Sequence, residues 1–226
     1  MKFTYYGHAC FAVEIKGESL LFDPFISSNG LAKHIDVSSI RADYILVSHG
    51  HSDHIGDLEA IAKRTGALCI SNFEVGEWMG RIGIEKTCGM NQGGSRSFSF
   101  GRLKLVNAIH SSSLPDGSYG GNPVGFVIAT EEGTFYYSGD TALTVDMQLI
   151  PRFFKLDLAI LPVGDHFTMG YEEALVAAEM VQCKKVIGVH YDTAESIKID
   201  HQQAQDHFAK AGYELLLLKI GEAIEI

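Results

Sequence analysis

A mixed α/β fold, with sheets covered by helices, is predicted by three features of the sequence. Short strands separated by Gly-containing turns fill the first quarter, and strand and helix alternate through the last third. Between and within these regions, four apolar strands each end in a residue able to bind a metal ion. The chain of 226 residues fits one domain spanning 1–226, with ample apolar material for a core. No linker, low-complexity tract or short-period repeat interrupts it.

The opening meander comprises strands at 2–6, 10–15 and 19–22, turning at Gly7-His8-Ala9 and Lys16-Gly17-Glu18. A looser stretch around Ser27-Ser28-Asn29-Gly30 leads to the apolar strand Tyr44-Ile45-Leu46-Val47. A helix follows over 55–63, its Leu58, Ile61 and Ala62 on one side. Next come a strand at 67–71, a helix at 74–81, and strands at 95–100 and 102–108 about Gly101. A Gly- and Pro-rich loop runs over 111–123, then strands at 124–130 and 134–138 turn at Glu132-Gly133. The final third reads as strand 156–161, helix 171–182, strand 185–189, helix 200–211 and strand 213–218.

The densest chemical signal is His49-Gly50-His51-Ser52-Asp53-His54, directly after the strand at 44–47. Three of the chain's 10 His fall within these six positions. Residues two apart in extended backbone point the same way, about 6.6 Å apart. His49 and His51 can therefore converge on one cation through neutral imidazole nitrogens. Gly50 adds no side chain between them. Asp53 and His54 lie further round the turn, within reach of a second cation. A plain polar loop would give no preference to three imidazoles over Asn, Ser or Gly. Strand-end candidates recur at His110, Asp140 and His190, and again at Asp165 and His166, where a rigid frame can bring distant residues to one rim. Taken alone, each of these reads more often as an ordinary loop or core residue.

The charge balance, 18 − 28 = −10, argues against a protein that lives on nucleic-acid backbones, which carries a basic face. No run of about 18 apolar residues suggests a membrane span. The first residues read as a strand and not as a signal peptide, so a cytoplasmic location is expected. Cys10, Cys69, Cys88 and Cys183 are widely spaced and lack a CxxC pair, as expected of reduced, mostly buried thiols.

With these residues in view, the chain resembles the metallo-β-lactamase superfamily. The resemblance is carried by the HxHxDH pattern of His49, His51, Asp53 and His54, then by Ala108-Ile109-His110-Ser111, Ser138-Gly139-Asp140-Thr141 and Gly188-Val189-His190. Gly7-His8-Ala9-Cys10-Phe11, Phe22-Asp23-Pro24-Phe25 and the 162–170 stretch resemble its small UPF0173 branch of metal-dependent hydrolases, related to L-ascorbate-6-phosphate lactonase. The likeness runs over essentially the whole chain. The last stretch departs from the branch, in which Asn is usual where His166 stands. The resemblance implies a four-layer αββα sandwich, two mixed sheets face to face with helices outside and the metals at one edge. It implies that His49, His51 and His110 hold a first divalent ion and that Asp53, His54 and His190 hold a second, with Asp140 bridging. Zn²⁺ suits these nitrogen and oxygen ligands, and Mn²⁺, Fe²⁺ and Ni²⁺ are also admissible. Relatives with diiron redox chemistry carry a carboxylate at the second His of the motif, so His51 favours hydrolysis.

The expected function is a dinuclear metal-dependent hydrolase. Hydroxide generated between the ions would attack an ester, lactone or phosphate ester of a small anionic metabolite. Asp53 would ligate and orient the nucleophile, and His8 and His166 are the candidates for binding the anionic group or protonating the leaving group. Asp23 reads either as an acceptor orienting a metal-bound imidazole or as a turn cap. His34, His201 and His207 are assigned no role. Tyr5, Tyr6, Trp78, Tyr136 and Tyr137 are expected to pack the core and its margins. A phosphodiesterase or nuclease on the same centre is the alternative, and a metal-binding protein without turnover the third reading. The expected partner is a small-molecule substrate, with self-association of the chain left open.

Overall fold

The computed structural model describes residues 1–226. Its first sheet is built from β1 (Lys2–Gly7), β2 (Cys10–Ile15), β3 (Glu18–Phe22), β4 (Tyr44–Leu46), β5 (Leu68–Asn72) and β6 (Thr87–Met90). Helices α1 (Ser52–Ile55), α2 (Leu58–Thr65) and α3 (Phe73–Arg81) belong to this half. The second sheet comprises β7 (Ser95–Phe98), β8 (Gly101–Asn107), β9 (Val124–Ala129), β10 (Thr134–Tyr137), β11 (Leu158–Pro162), β12 (Lys185–Val189) and β13 (Glu214–Leu216). A 3₁₀ segment at Val145–Arg152 and helices α4 (Tyr171–Met180) and α5 (His201–Lys210) accompany it. Strand β14 (Ala223–Glu225) then returns to the first sheet and pairs antiparallel with β1. The sheet orders are β14-β1-β2-β3-β4-β5-β6 and β13-β12-β11-β10-β9-β8-β7.

Both halves use one plan. Antiparallel pairing through β1, β2 and β3 gives way to parallel pairing through β4, β5 and β6. Antiparallel pairing through β7 to β10 likewise gives way to parallel pairing through β11, β12 and β13. The change of pattern expected in the last third is therefore present in the first half too.

Alternation along the strands separates the layers. Phe11, Val13 and Ile15 with Leu20, Phe22, Leu46 and Ile70 enter one core, together with Phe126, Phe135 and Tyr137 of the opposite sheet. Phe22 meets Phe126 and Phe135 edge-on, each at 6.1 Å, and Phe11 meets Tyr137 at 5.0 Å. Each such buried ring contributes about 1.5–3 kcal/mol, so this inter-sheet seam fixes how the sheets face each other. The intervening residues Ala12, Leu21, Ile45, Val47 and Cys69 face outward onto Leu58, Ile61, Val75 and Met79 of α2 and α3. On the other flank, α4 packs on β11 and α5 on β13. The result is the expected α/β sandwich with helices outside.

Strand direction positions the site. Strands β8 and β10 run the same way because both are antiparallel to β9, and β11 and β12 are parallel to β10. Their C-terminal ends share one edge, where His110, Asp140 and His190 follow them. In the facing sheet, β3 and β4 are parallel and end at Asp23 and at Ser48-His49. Two strands escape the sequence reading, β6 and β14. Both are short and largely exposed, and they carry too little apolar alternation to register.

Candidate metal centre

His49 lies just past β4 in fully buried backbone, and His51 is the extended residue that opens α1 (φ −67°, ψ 147°). Asp53 and His54 then sit on the helical turn, which starts at Ser52 and not at the expected Ile55. One extended pair followed by one helical pair aims four side chains at two neighbouring points. His190 caps β12 in the left-handed region (φ 56°), and His8 occupies the β1–β2 turn in the same region (φ 57°). Such backbone is uncommon outside Gly and persists where its surroundings hold it. The His8 carbonyl accepts from the His190 N–H (2.8 Å) and from the Tyr5 hydroxyl (3.0 Å), which ties the two turns together.

All seven expected ligands converge. Potential donor atoms form three overlapping groups, each within 4.8 Å: His49, His51 and His110; His49, His54 and Asp140; and Asp53, His54 and His190 with His8. Asp140 Oδ2 is 3.0 Å from His190 Nε2, 3.2 Å from His54 Nε2 and 3.8 Å from His110 Nε2. That one oxygen reaches both ends of the cluster. The imidazoles of His49, His54 and His190 and the Asp140 carboxylate are buried, while His51, Asp53 and His110 border solvent.

A set of hydrogen bonds behind the ligands sets their tautomers. His54 donates Nδ1–H to Asp23 Oδ2 at 2.9 Å. Asp23 also accepts from the Ser48 N–H (2.7 Å), the Ser48 hydroxyl (2.7 Å) and the Tyr137 hydroxyl (2.5 Å). With its hydroxyl proton on Asp23, Ser48 Oγ accepts from His49 Nδ1–H at 2.9 Å. His51 is turned the other way: Nδ1 faces His49 Nε2 at 2.9 Å and Nε2 faces Ser111 Oγ at 3.2 Å. Asp23 thus accepts from an imidazole of the cluster as well as from the Ser48 backbone.

Burial holds His49 well below the ordinary imidazole range and lowers His51 and His110. Burial also brings His8 down to about 4, against the pull of its Asp53 hydrogen bond. For Asp140 and Asp53 burial works upward, but the surrounding imidazoles outweigh it and both carboxyls are lowered. His54 runs opposite to the other imidazoles: burial depresses it, yet Asp140 and Asp23 drive it up. Neutral imidazoles beside ionised carboxylates are the protonation states that metal binding requires.

The donor set fits divalent metal ions. His54 Nε2 is buried without a hydrogen-bond partner, and its other nitrogen is committed to Asp23. Its lone pair therefore faces the Asp140 carboxylate, and a proton or a metal cation has to lie between them. All donors are nitrogen or oxygen, the set that suits Zn²⁺, Mn²⁺ or Fe²⁺. The four cysteines are free, buried and outside the cluster.

Other sequence candidates part company here. His8 joins the cluster, with Nε2 3.0 Å from Asp53 Oδ2 and Nδ1 2.7 Å from Thr193 Oγ1. His166 does not: it is exposed on the 164–170 loop with its ring against Phe167. Ser48, Thr193 and Tyr137 escaped the sequence reading. Tyr137 packs the core as expected, yet its hydroxyl serves Asp23. Of the unassigned imidazoles, His201 pairs with Asp192 at 2.6 Å and His207 stands against Tyr171.

Known proteins share the sequence pattern and the fold of this chain. The beta-lactamase superfamily domain profile matches residues 2–190. The chain belongs to that superfamily. A UPF0173 metal-dependent hydrolase of Christiangramia forsetii is 52% identical over 227 residues, covering 100% of both chains. That of Bacillus subtilis is 42% identical over 231 residues, again covering 100% of both. The structure also superposes on a metallo hydrolase of Ignicoccus hospitalis with a TM-score of 0.89. The identity there is 32%, covering 99% of this chain and 97% of the other. An isothiocyanate hydrolase from Delia radicum gut bacteria shares the fold, at a TM-score of 0.80 and 19% identity over 100% and 99% of the chains. No helix here is long and apolar enough to cross a membrane.

Proposed function

We propose that this metal-dependent hydrolase works with two divalent ions and cleaves an ester, lactone or phosphate ester of a small anionic metabolite. The single observation that carries the dinuclear reading is Asp140 Oδ2, which lies within 3.8 Å of nitrogens of His54, His110 and His190. On this reading His49, His51 and His110 hold one ion, Asp53, His54 and His190 the other, and Asp140 bridges. When bound, such a pair acidifies a shared water and polarises a substrate oxygen.

The chain's own residues supply the rest. Buried Asp23 and Ser48 hold the His54 and His49 rings in the tautomer that presents Nε2 inward. Asp53 has Oδ2 engaged by His8, and its side chain is still 39% exposed. It is the carboxylate that can meet incoming water and accept its proton. His51 and His110 form the solvent-facing border. His166, exposed beside the edge, is the candidate for meeting the substrate's anionic group.

The experiment is metal analysis joined to a substrate panel. Protein purified without chelator should carry close to two transition-metal equivalents. A panel of lactones, esters, thioesters, phosphodiesters and β-lactams, with His49→Ala as control, should give turnover on a small ester or lactone. Turnover restricted to phosphodiesters favours the nuclease-type alternative. No turnover anywhere in metal-replete protein removes the enzymatic reading of this centre.

A further inference from the structure

Donor atoms about 2.1 Å from one cation and roughly at right angles lie about 3 Å apart. Three pairs in this centre keep that spacing: His49 Nε2 to His51 Nδ1 is 2.9 Å, His190 Nε2 to Asp140 Oδ2 is 3.0 Å, and His54 Nε2 to Asp140 Oδ2 is 3.2 Å. Others are wider: Asp140 Oδ2 is 3.8 Å from His110 Nε2, and Asp53 Oδ2 is 3.9 Å from His190 Nε2 and 4.0 Å from His54 Nε2. His8 Nε2 stands 3.0 Å from Asp53 Oδ2, the same separation. It also falls within the 4.8 Å limit that encloses Asp53, His54 and His190.

A second resemblance is in how the rings are held. His49, His54 and His51 each present one nitrogen inward and rest the other on an oxygen, from Ser48, Asp23 and Ser111 respectively. His8 does the same, with Nδ1 2.7 Å from Thr193 Oγ1. Metal-ligating imidazoles characteristically give their second N–H to such an acceptor. The His8 ring is buried, 4.0 Å between centroids from that of His190, and its backbone is braced by the His190 N–H.

We propose that His8 ligates the second ion through Nε2, beside Asp53, His54, His190 and Asp140, and that Thr193 accepts its Nδ1–H and so holds the coordinating tautomer. This extends the dinuclear reading and rests on it. The site then holds three imidazoles and two carboxylates, against three imidazoles and the shared carboxylate for the first. The two ions differ in donor number, and they are expected to differ in affinity and exchange. The rival role for His8 is donation of Nε2–H to Asp53.

The test is titration of chelator-stripped protein with Co²⁺, read by visible absorption and total metal content, with X-ray absorption fine structure on the loaded forms. The parent should take up two ions. His8→Ala should bind the first ion unchanged and the second about 100-fold more weakly, with one imidazole fewer in the scattering shell. Added imidazole should restore the second ion. His8→Gln, which keeps an N–H for Asp53 but lacks the ring nitrogen, should not restore it. Thr193→Val should weaken the second ion about 10-fold, and Thr193→Ser should behave as the parent.

Two ions bound as tightly by His8→Ala as by the parent overturn this proposal alone, as does parent-like binding by His8→Gln. A parent that takes up fewer than two ions overturns the dinuclear reading and this proposal with it. Should His8→Ala fail to fold, the Thr193 pair decides, and equal second-ion affinity in Thr193→Val and the parent overturns it.

Discussion

Asp23 and His54 meet at 2.9 Å in complete burial, the imidazole donating Nδ1–H to Oδ2. The carboxylate collects three further donors, from Ser48 twice and from Tyr137. One buried anion therefore orients His54 directly and His49 through the Ser48 hydroxyl. It stitches a ligand pair of the first sheet to Tyr137 of the second.

Asp23→Asn puts an amide donor where four donors already point. At least one of them loses its acceptor, and the two rings lose their fixed tautomer. Metal affinity should fall about 10- to 100-fold. Stability should fall by about 3 kcal/mol, the lower end for breaking a buried charged pair. Competition with a chromophoric chelator and urea unfolding measure the two effects. Parent-like metal affinity would return Asp23 to the role of a turn cap.

Gly164 is a site residue with no polar group. A Cβ there would overlap the His190 carbonyl oxygen and come within 3.1 Å of Ile197 Cβ. The left-handed turn of His190 packs closely against the Gly164 backbone. Gly164→Ala should push that turn away, costing about 2 kcal/mol by overpacking and weakening metal binding together. Isothermal titration of stripped protein with Zn²⁺, beside a urea curve, checks both. Loss of stability with intact affinity would show that the turn relaxes without moving the ring.

Most of the sandwich and the seven side chains that converge at its edge were legible in the sequence, for identifiable reasons. Apolar strands ending in His or Asp mark a sheet edge, and His49 to His54 compress four donors into six positions. What lay hidden depends on contacts between distant segments. Thr193 is an ordinary threonine until the β1–β2 turn brings His8 against it. Tyr137 reads as core, and only the opposed sheet supplies the carboxylate for its hydroxyl. Asp23 had two equal readings, because a strand-end Asp before Pro caps turns as readily as it orients a ligand. Strand β14 is invisible because its pairing with β1 joins the two ends of the chain.

The pH dependence of the metal-stripped fold follows from the imidazoles of the centre. Burial holds His8 at about 4 and His49 well below its ordinary value, so the unfolded chain binds those protons first. Their contribution is present above about pH 6.5 and is lost as pH falls toward 4. His54 is raised by Asp140 and Asp23 despite its burial, so its contribution is present below about 6.5 and is lost at higher pH. The His54 contribution is already full in the acid limb and does not offset that loss, and His51 and His110, also lowered by burial, add to it, so the urea midpoint should fall from pH 6.5 to 4.5. In His49→Gln that slope should shrink. A midpoint that stays level or rises on acidification would mean that burial does not hold these imidazoles neutral in the stripped centre.

His166 tests whether the edge of the centre recognises charge. It follows Asp165, and both residues are left-handed (φ 60° and 57°), an uncommon pair outside Gly. The loop is fastened by the Met169 N–H on the Thr141 carbonyl (3.1 Å), one residue beyond Asp140, while His166 and Phe167 stay exposed. Strain kept at a fastened loop tip calls for a functional explanation. If the tip meets an anionic group, His166→Ala should leave metal content unchanged and stability within about 0.5 kcal/mol. It should raise KM about 10-fold for an anionic substrate, with kcat little changed and neutral analogues unaffected. His166→Asn, a donor without charge, should fall between the two. Equal KM values across all three proteins would place recognition elsewhere on the rim and leave the loop a purely structural fastening.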